Sequence, residues 1–299
     1  MDKALDYFVI VGFSRSGTTS LFNYLSDHPE VSVSKRKELN FFNNTINRNN
    51  FGIVDINLEW SYAKCFSTEG GVKIDATPEY ICSLDSIRLL HDTLRNKNYK
   101  IAILVRDRFA RLESWFDYAR MKGIMKSRDS LYRLLINDDL NISEAAREIY
   151  KRENALNYYY DIIRKTLDII PEENVIIIRT SDLRDEPLKT MMSLSCILGI
   201  SKKYYQSYDF RVYNRSSKKS RVAFVYWIKL RKFIRSVYRP KYLQLLFKWL
   251  KRLNSPKLID LNSHSIERGL ISEEYNDMFR KDQALLDSEF GHLIIGYED

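Results

Sequence analysis

Cysteine and histidine are scarce in this chain. Three cysteines in 299 residues, Cys65, Cys82 and Cys196, stand far apart with no C-x-x-C pair. An odd, scattered set argues against a disulfide framework and fits a reducing compartment. The four histidines, His28, His91, His264 and His292, are just as scattered. No His/Cys group has metal-ligand spacing, so no metal site is expected. Nowhere does the chain reach the roughly 18 consecutive apolar residues of a membrane-spanning helix. The opening "MDKALDYFVIVG" holds two aspartates and a short apolar run, unlike a secretory signal. The expectation is a cytoplasmic chain. There is no internal repeat and no low-complexity linker.

What is present suffices for a large core. Hydrophobic residues make up 44% and charged residues 29%, the balance of a soluble globular protein. Length predicts a single domain over 1–299, divided into an α/β core (1–213), a basic amphipathic helical segment (214–253) and a C-terminal helical segment (254–299). The net charge of +9 favours an anionic ligand or surface.

Short apolar, β-branched runs alternate with helical patterns. "YFVIV" (7–11), "GVKID" (71–75), "YKIAILV" (99–105) and "NVIIIRT" (174–180) read as strands, buried on both faces where the run is unbroken. Helical patterns cover 18–28, 83–94 with Ser83 as cap, 108–122, 154–170, which Pro171 stops, and 186–199, with Pro near its start and Gly at its end. In 108–122, Phe109, Leu112, Phe116 and Ala119 form one stripe. This alternation predicts a three-layer α/β/α fold with a mostly parallel central sheet. Ligands of such sheets sit beyond the strand C-termini, where Gly12 and Arg106 both fall.

The turn after the first strand, "GFSRSGTTS" (12–20), has the glycine spacing of a phosphate loop, and Thr19 stands at its Ser/Thr position. The lysine is missing: Thr18 occupies its place, and the cation is Arg15, within the loop. Backbone N–H groups entering a helix converge on one spot, where the helix dipole adds positive potential. Ser16, Gly17, Thr18 and Thr19 would supply these N–H groups, and three of them a hydroxyl, beside the cation of Arg15. A nucleoside triphosphatase would also need a carboxylate for Mg²⁺ at a strand end. Here the strand at 99–105 ends in Arg106 before Asp107, which points to a second anion.

Four segments in order resemble the sulfotransferases that use 3′-phosphoadenosine 5′-phosphosulfate (PAPS). "VIVGFSRSGTTSLFNYLSDHPEV" resembles their 5′-phosphosulfate loop. "LVRDRFARLESWFDYA" resembles their 3′-phosphate motif, with Arg106, Asp107, Arg111 and Ser114 at its fixed positions. "KELNFF" (37–42) resembles the segment that carries the family's catalytic glutamate, and "DATPEY" (75–80) a further family segment. The resemblance implies a P-loop NTPase-like fold and transfer of a sulfuryl group from PAPS to an acceptor hydroxyl, with no metal. It implies that Ser14–Thr19 hold the phosphosulfate, that Arg15 stabilises the leaving group, that Arg106 and Ser114 hold the 3′-phosphate, and that Glu38 is the base. Arg111, four residues after Asp107, has the spacing of a helical ion pair and stands outside the expected site. Asp75 and Tyr80 are expected either to line the cleft or, for Tyr80, to be core. The glutamate segment is most like that of glycan-modifying members. The expected acceptor is thus a carbohydrate, on a capsular, lipopolysaccharide or lipid-linked glycan of a bacterium.

Between Asn214 and Leu253 there are thirteen Lys/Arg and no Asp/Glu, more positive charge than the whole chain's net +9. Three readings stay open. Lys218, Lys219 and Arg221 close over the cofactor or acceptor, as a similar basic loop does in relatives. Alternatively, the amphipathic helices dock on an anionic membrane surface, or they pack with a solvated basic face. A P-loop kinase and a non-catalytic basic membrane-binding protein are the rival functions. Nucleic acid is not expected, because no recognised binding motif accompanies the charge.

Overall fold

The computed structural model describes residues 4–43, 58–121, 158–211 and 273–296. The described residues fall in two compact units. The second unit contributes residues 112–121 and Glu273, and the remainder belong to the first.

In the first unit a five-stranded sheet, wholly parallel, has the order β2-β3-β1-β4-β5. The strands are β1 (Tyr7–Gly12), β2 (Val31–Val33), β3 (Val72–Ala76), β4 (Tyr99–Val105) and β5 (Val175–Arg179). The period of two along β1, β4 and β5 feeds two cores. Tyr7, Val9 and Val11 of β1 face one side, with Ile101 and Ile103 of β4 and Ile177 of β5. Phe8 and Ile10 face the other, with Ala102, Leu104, Ile176 and Ile178.

Helices cover both faces. On the first side lie α3 (Leu84–Leu94), α5 (Tyr159–Leu167) and α8 (Glu273–Phe290), through Ile87, Leu90, Ile163, Leu286 and Phe290. On the other lie α1 (Thr18–Ser26), α6 (Thr180–Asp185) and α7 (Pro187–Leu198), through Leu21, Leu25, Leu183, Met191 and Leu194. A short α2 (Leu58–Ala63) precedes β3, and α4 (Arg108–Met121) follows β4. The expected α/β/α layering is therefore present. No helix among the described residues is long and apolar enough to cross a membrane.

Local signals behave as their chemistry dictates. Ser83 caps α3, its side chain accepting from the Ser86 N–H. Pro187 opens α7, and Gly199 ends it at φ 69°. Leu112, Phe116 and Ala119 of the α4 stripe are buried and Phe109 partly so. The helix expected over 154–170 is seen from Tyr159; residues 154–157 lie outside the described residues. Strand β2, with only three residues, is too short to show a period. The segment expected to run as a strand to Thr180 instead turns into α6 there. The basic segment 214–253 lies outside the described residues.

Candidate active site at the C-terminal edge of the sheet

All the candidate segments of the first unit gather at one edge of the sheet. The loop at 13–17 follows β1. Thr77, after β3, donates its N–H to Ile10 O at 3.1 Å. Arg106 follows β4, and Thr180 follows β5.

The two glycines of the loop have separate reasons. A Cβ on Gly12 would lie 2.4 Å from Ile81 Cγ2, so this position must be bare for Ile81 to pack. Gly17 sits at φ 88°, the left-handed region that suits glycine. Arg15 is also left-handed, at φ 68°. Such a backbone costs a non-glycine residue about 1–3 kcal/mol and persists only where its surroundings dictate it.

Those surroundings are donors to the loop's carbonyls. Arg111 Nε donates to Ser14 O at 3.1 Å, Arg106 Nη1 to Arg15 O at 2.9 Å, and Thr180 Oγ1 lies 2.7 Å from Ser16 O. Three successive carbonyls are thus held by the segments after β4 and β5. The N–H groups of Gly17, Thr18 and Thr19, at the mouth of α1, have no intrahelical acceptor. The helix has no side-chain cap and no acidic residue in its first turn. Ser16 Oγ is fully buried, and it is the one buried side-chain polar atom among the described residues with no hydrogen-bond partner. A loop with anchored carbonyls, unclaimed N–H groups and an orphaned hydroxyl is built to receive an acceptor-rich anion.

Arg111 corrects the sequence expectation. Its side chain is fully buried, and it braces the loop rather than serving Asp107. The Asp107 carboxylate instead caps α4, accepting from the Ala110 N–H at 2.8 Å. Tyr159 supports the same corner: its hydroxyl donates to Arg106 O at 3.0 Å, and its ring lies 4.7 Å from that of Phe13. Burial raises the pKa of this tyrosine, against the opposing pull of Arg111 and Arg108, so it stays a neutral donor. Asp282 of α8 accepts from the Tyr159 N–H at 3.2 Å and pairs with the buried Arg108.

Beyond Arg106 opens a cavity of about 340 Å³, lined by Arg106, Arg179, Thr180, Ser181, Arg184 and Gln283 among others. Three guanidinium groups and two hydroxyls around one space suit a phosphorylated ligand. Arg179 also pairs with Asp287 of α8 at 2.8 Å.

On the other side of β1, Glu38 occupies a turn with two left-handed residues, Glu38 at φ 64° and Asn40 at φ 54°. Its carboxylate is exposed and pairs with Lys37 at 2.7 Å, while Leu39, Phe41 and Phe42 are buried. The carboxylate therefore stands in solvent, while the apolar side chains that follow it turn into the core. Asp75 and Tyr80 do not line a cleft: both are fully buried beneath the turn. Asp75 Oδ2 accepts from Tyr80 at 2.9 Å and from Tyr62 at 3.1 Å, and Oδ1 from Thr77 at 2.9 Å.

The family model of the sulfotransferase domain matches residues 5–253. This chain belongs to the sulfotransferase-domain family. Among curated relatives, this sulfotransferase-family chain is 34% identical over 120 residues to the membrane-associated sulfotransferase kil1 of Dictyostelium discoideum, covering 38% of the chain and 23% of that protein. It is 24% identical over 204 residues to human bifunctional heparan sulfate N-deacetylase/N-sulfotransferase 2, covering 66% of the chain and 22% of the relative. It thus spans under a quarter of the length of these relatives. A sulfotransferase from Alicyclobacillus acidocaldarius shares the fold, with a TM-score of 0.52 at 19% identity, covering 76% of this chain and 90% of that one.

Among the predicted site residues of this sulfotransferase-family chain, Ser14 to Thr19, Arg106 and Glu38 stand along one sheet edge. Ser114 is half-buried on α4, in the second unit. Lys218, Lys219 and Arg221 lie outside the described residues. Sequence reasoning missed Arg111, Tyr159 and Thr180, all of which act on main-chain oxygens. Thr180 had one available signal: it ends a strand at the same edge as Arg106.

Proposed function

We propose that this protein transfers the sulfuryl group of PAPS to an acceptor hydroxyl on a carbohydrate. The observation that carries this is the loop at 13–17, whose carbonyls are tied down beside an arginine-lined cavity. The orphaned Ser16 hydroxyl and the open first turn of α1 fit the 5′-phosphosulfate. Arg106 and the cavity beyond it, with Arg179 and Arg184, fit a phosphate set apart from the first. Ser114 is assigned to that phosphate by its place in the motif. A linear triphosphate has no such separate group.

PAPS supplies an electrophilic sulfur and a phosphate leaving group, so the acceptor oxygen bonds to sulfur as the sulfur–oxygen bond to phosphate breaks. The residues position and neutralise. Arg15 stabilises the charge that develops on the leaving oxygen; a guanidinium stays charged and does not serve as the proton donor. Glu38 takes the acceptor proton, its carboxylate standing in solvent within reach of an incoming substrate. Lys218, Lys219 and Arg221 close over the bound anion. Heparan sulfate, which forms part of one relative's name, is a glycan, and this favours a carbohydrate acceptor. The name of the other relative, a membrane-associated sulfotransferase, suits a cytoplasmic enzyme in peripheral contact with an anionic membrane, where it meets a lipid-linked or surface glycan.

Calorimetry tests the reading. Adenosine 3′,5′-bisphosphate is expected to bind tightly without metal, and ATP with Mg²⁺ weakly. The reverse order would replace sulfuryl transfer with a kinase.

A further inference from the structure

Resting on the assignment of Glu38 as the base, we infer that Asp75 is a positioning residue that fixes the Glu38 turn through two hydroxyl relays. Asp75 projects from β3 into an aromatic core that includes Phe41, Phe42, Tyr62 and Tyr80. A fully buried carboxylate there is a liability to packing, so its retention calls for a reason in what it touches. Thr77 Oγ1, which donates to Asp75, accepts from the Asn40 N–H at 3.3 Å. Tyr80 Oη, which also donates to Asp75, accepts from the Phe41 N–H at 2.9 Å. The Glu38 N–H itself reaches Ala76 O at 3.2 Å.

The direction of these bonds follows from charge. An ionised carboxylate only accepts, so it draws both hydroxyl protons toward itself. That leaves each hydroxyl's lone pairs facing the turn, where they hold N–H groups. Neutral Asp75, or an asparagine amide, presents a donor in place of one acceptor. One hydroxyl must then turn its proton toward the turn, against an N–H. The two left-handed residues lose the constraint that keeps them there. The charge on Asp75 is thus converted into the orientation of a backbone more than thirty residues away.

Burial, the largest influence, raises the Asp75 pKa to about 6, against the hydrogen bonds from Thr77, Tyr80, Tyr62 and the Leu39 backbone. The titratable groups facing it are Tyr62 from α2, Tyr80, and Cys65 just past α2. Burial first, and then the Asp75 charge, hold all three in their protonated, neutral forms. Lys35 acts in the opposite direction on Cys65. The sign is that of a carboxylate with a raised pKa: the relays are set above about pH 6 and lost as pH falls through it.

Amide hydrogen exchange tests this directly, with no need for activity. In Asp75→Asn, exchange at Asn40 or Phe41, whichever N–H faces the turned hydroxyl, is expected to rise about tenfold, the loss of roughly one hydrogen bond, with β1 and β4 still protected. Thr77→Val is expected to release Asn40 and Tyr80→Phe to release Phe41, so the two relays are read separately even if Asp75→Asn fails to fold. The wild type shows the same release below about pH 6 after correction for intrinsic exchange, and Asp75→Asn shows no further change there. In turnover, kcat falls in all three variants while affinity for adenosine 3′,5′-bisphosphate holds. Unchanged exchange at residues 38–42 in Thr77→Val and Tyr80→Phe would overturn the relays, even with Glu38→Gln inactive. Faster exchange alongside a fully active Glu38→Gln would overturn the base assignment instead and leave the relays standing.

Discussion

Two turns flank the C-terminal edge of this sheet, and they are anchored with opposite polarity. The loop at 13–17 is held by its carbonyls, with cations and a hydroxyl as donors: Arg111, Arg106 and Thr180. The turn at 38–42 is held from β3 and the segment after it by its N–H groups, with an anion and its hydroxyl relays as acceptors, while only the adjacent Arg36 and its own Asn40 donate to its carbonyls, at Leu39 and Glu38. Each carries left-handed non-glycine backbone, so each needs external anchors. The choice of anchor decides what is left over. Tying down carbonyls leaves N–H groups for an incoming anion. Tying down N–H groups fixes a backbone from which a carboxylate side chain projects. One turn is prepared to bind negative charge and the other to present it.

The comparison can be broken most decisively in turnover. Arg15→Ala is expected to lower kcat by at least about 100-fold, with Arg15→Lys keeping part of the rate; near-normal turnover by the alanine variant would remove Arg15 from the reaction. Glu38→Gln is expected to lower kcat by about 100-fold or more and to leave calorimetric binding of the bisphosphate unchanged. Weaker bisphosphate binding there would mean that the two turns do not divide their labour.

An effect of similar size lies in stability against pH. Asp75 has a folded-state pKa of about 6, above the ordinary aspartate value of 3.8. Between these values the folded chain holds a proton that the unfolded chain has lost. Asp75 therefore makes stability fall, by about 3 kcal/mol, as pH rises from about 4 through about 6. The difference between urea titrations of wild type and Asp75→Asn across that window isolates it. A flat difference would show that the carboxylate carries no such burden.

Anchors of the first loop come next. Arg111→Met leaves Ser14 O without its charged donor and is expected to cost about 2 kcal/mol in urea unfolding. It should also weaken bisphosphate binding, whereas loss of stability without loss of binding would make Arg111 purely structural. Thr180→Val removes a single hydroxyl near two carbonyls, Ser16 O and Val105 O. The expected loss is about 1 kcal/mol, read as a lower Tm.

The sequence showed the parts that involve side-chain type and spacing. "GFSRSGTTS" after an apolar run and the Arg106 strand end were legible, because each departs from what a plain core element requires, whereas Glu38 stood out only through its segment's resemblance to the family. The anchors were not. Arg111 serves a carbonyl 97 residues away, and a main-chain oxygen leaves no mark in a sequence. Its neighbour Asp107 offered a nearer partner at helical spacing, yet that carboxylate caps the helix. Asp75 reads as one polar residue beside a strand end, and only the fold shows it sealed among tyrosines.

The strand order has a practical corollary for protein engineering. The Glu38 turn and its relays come from the segments after β2 and β3, on one flank of β1, and Arg106, Arg111 and Thr180 come from the segments after β4 and β5, on the other. The loop at 13–17 lies between them, encoded with the first flank and held by the second. A chimera with one junction between Leu94 and Tyr99 therefore exchanges the Glu38 turn together with this loop. It must preserve the three carbonyl contacts that Arg111, Arg106 and Thr180 make, and contacts behind the sheet such as that of Tyr205 with Tyr24 O at 3.0 Å. The Glu38 turn is portable only with the loop it flanks.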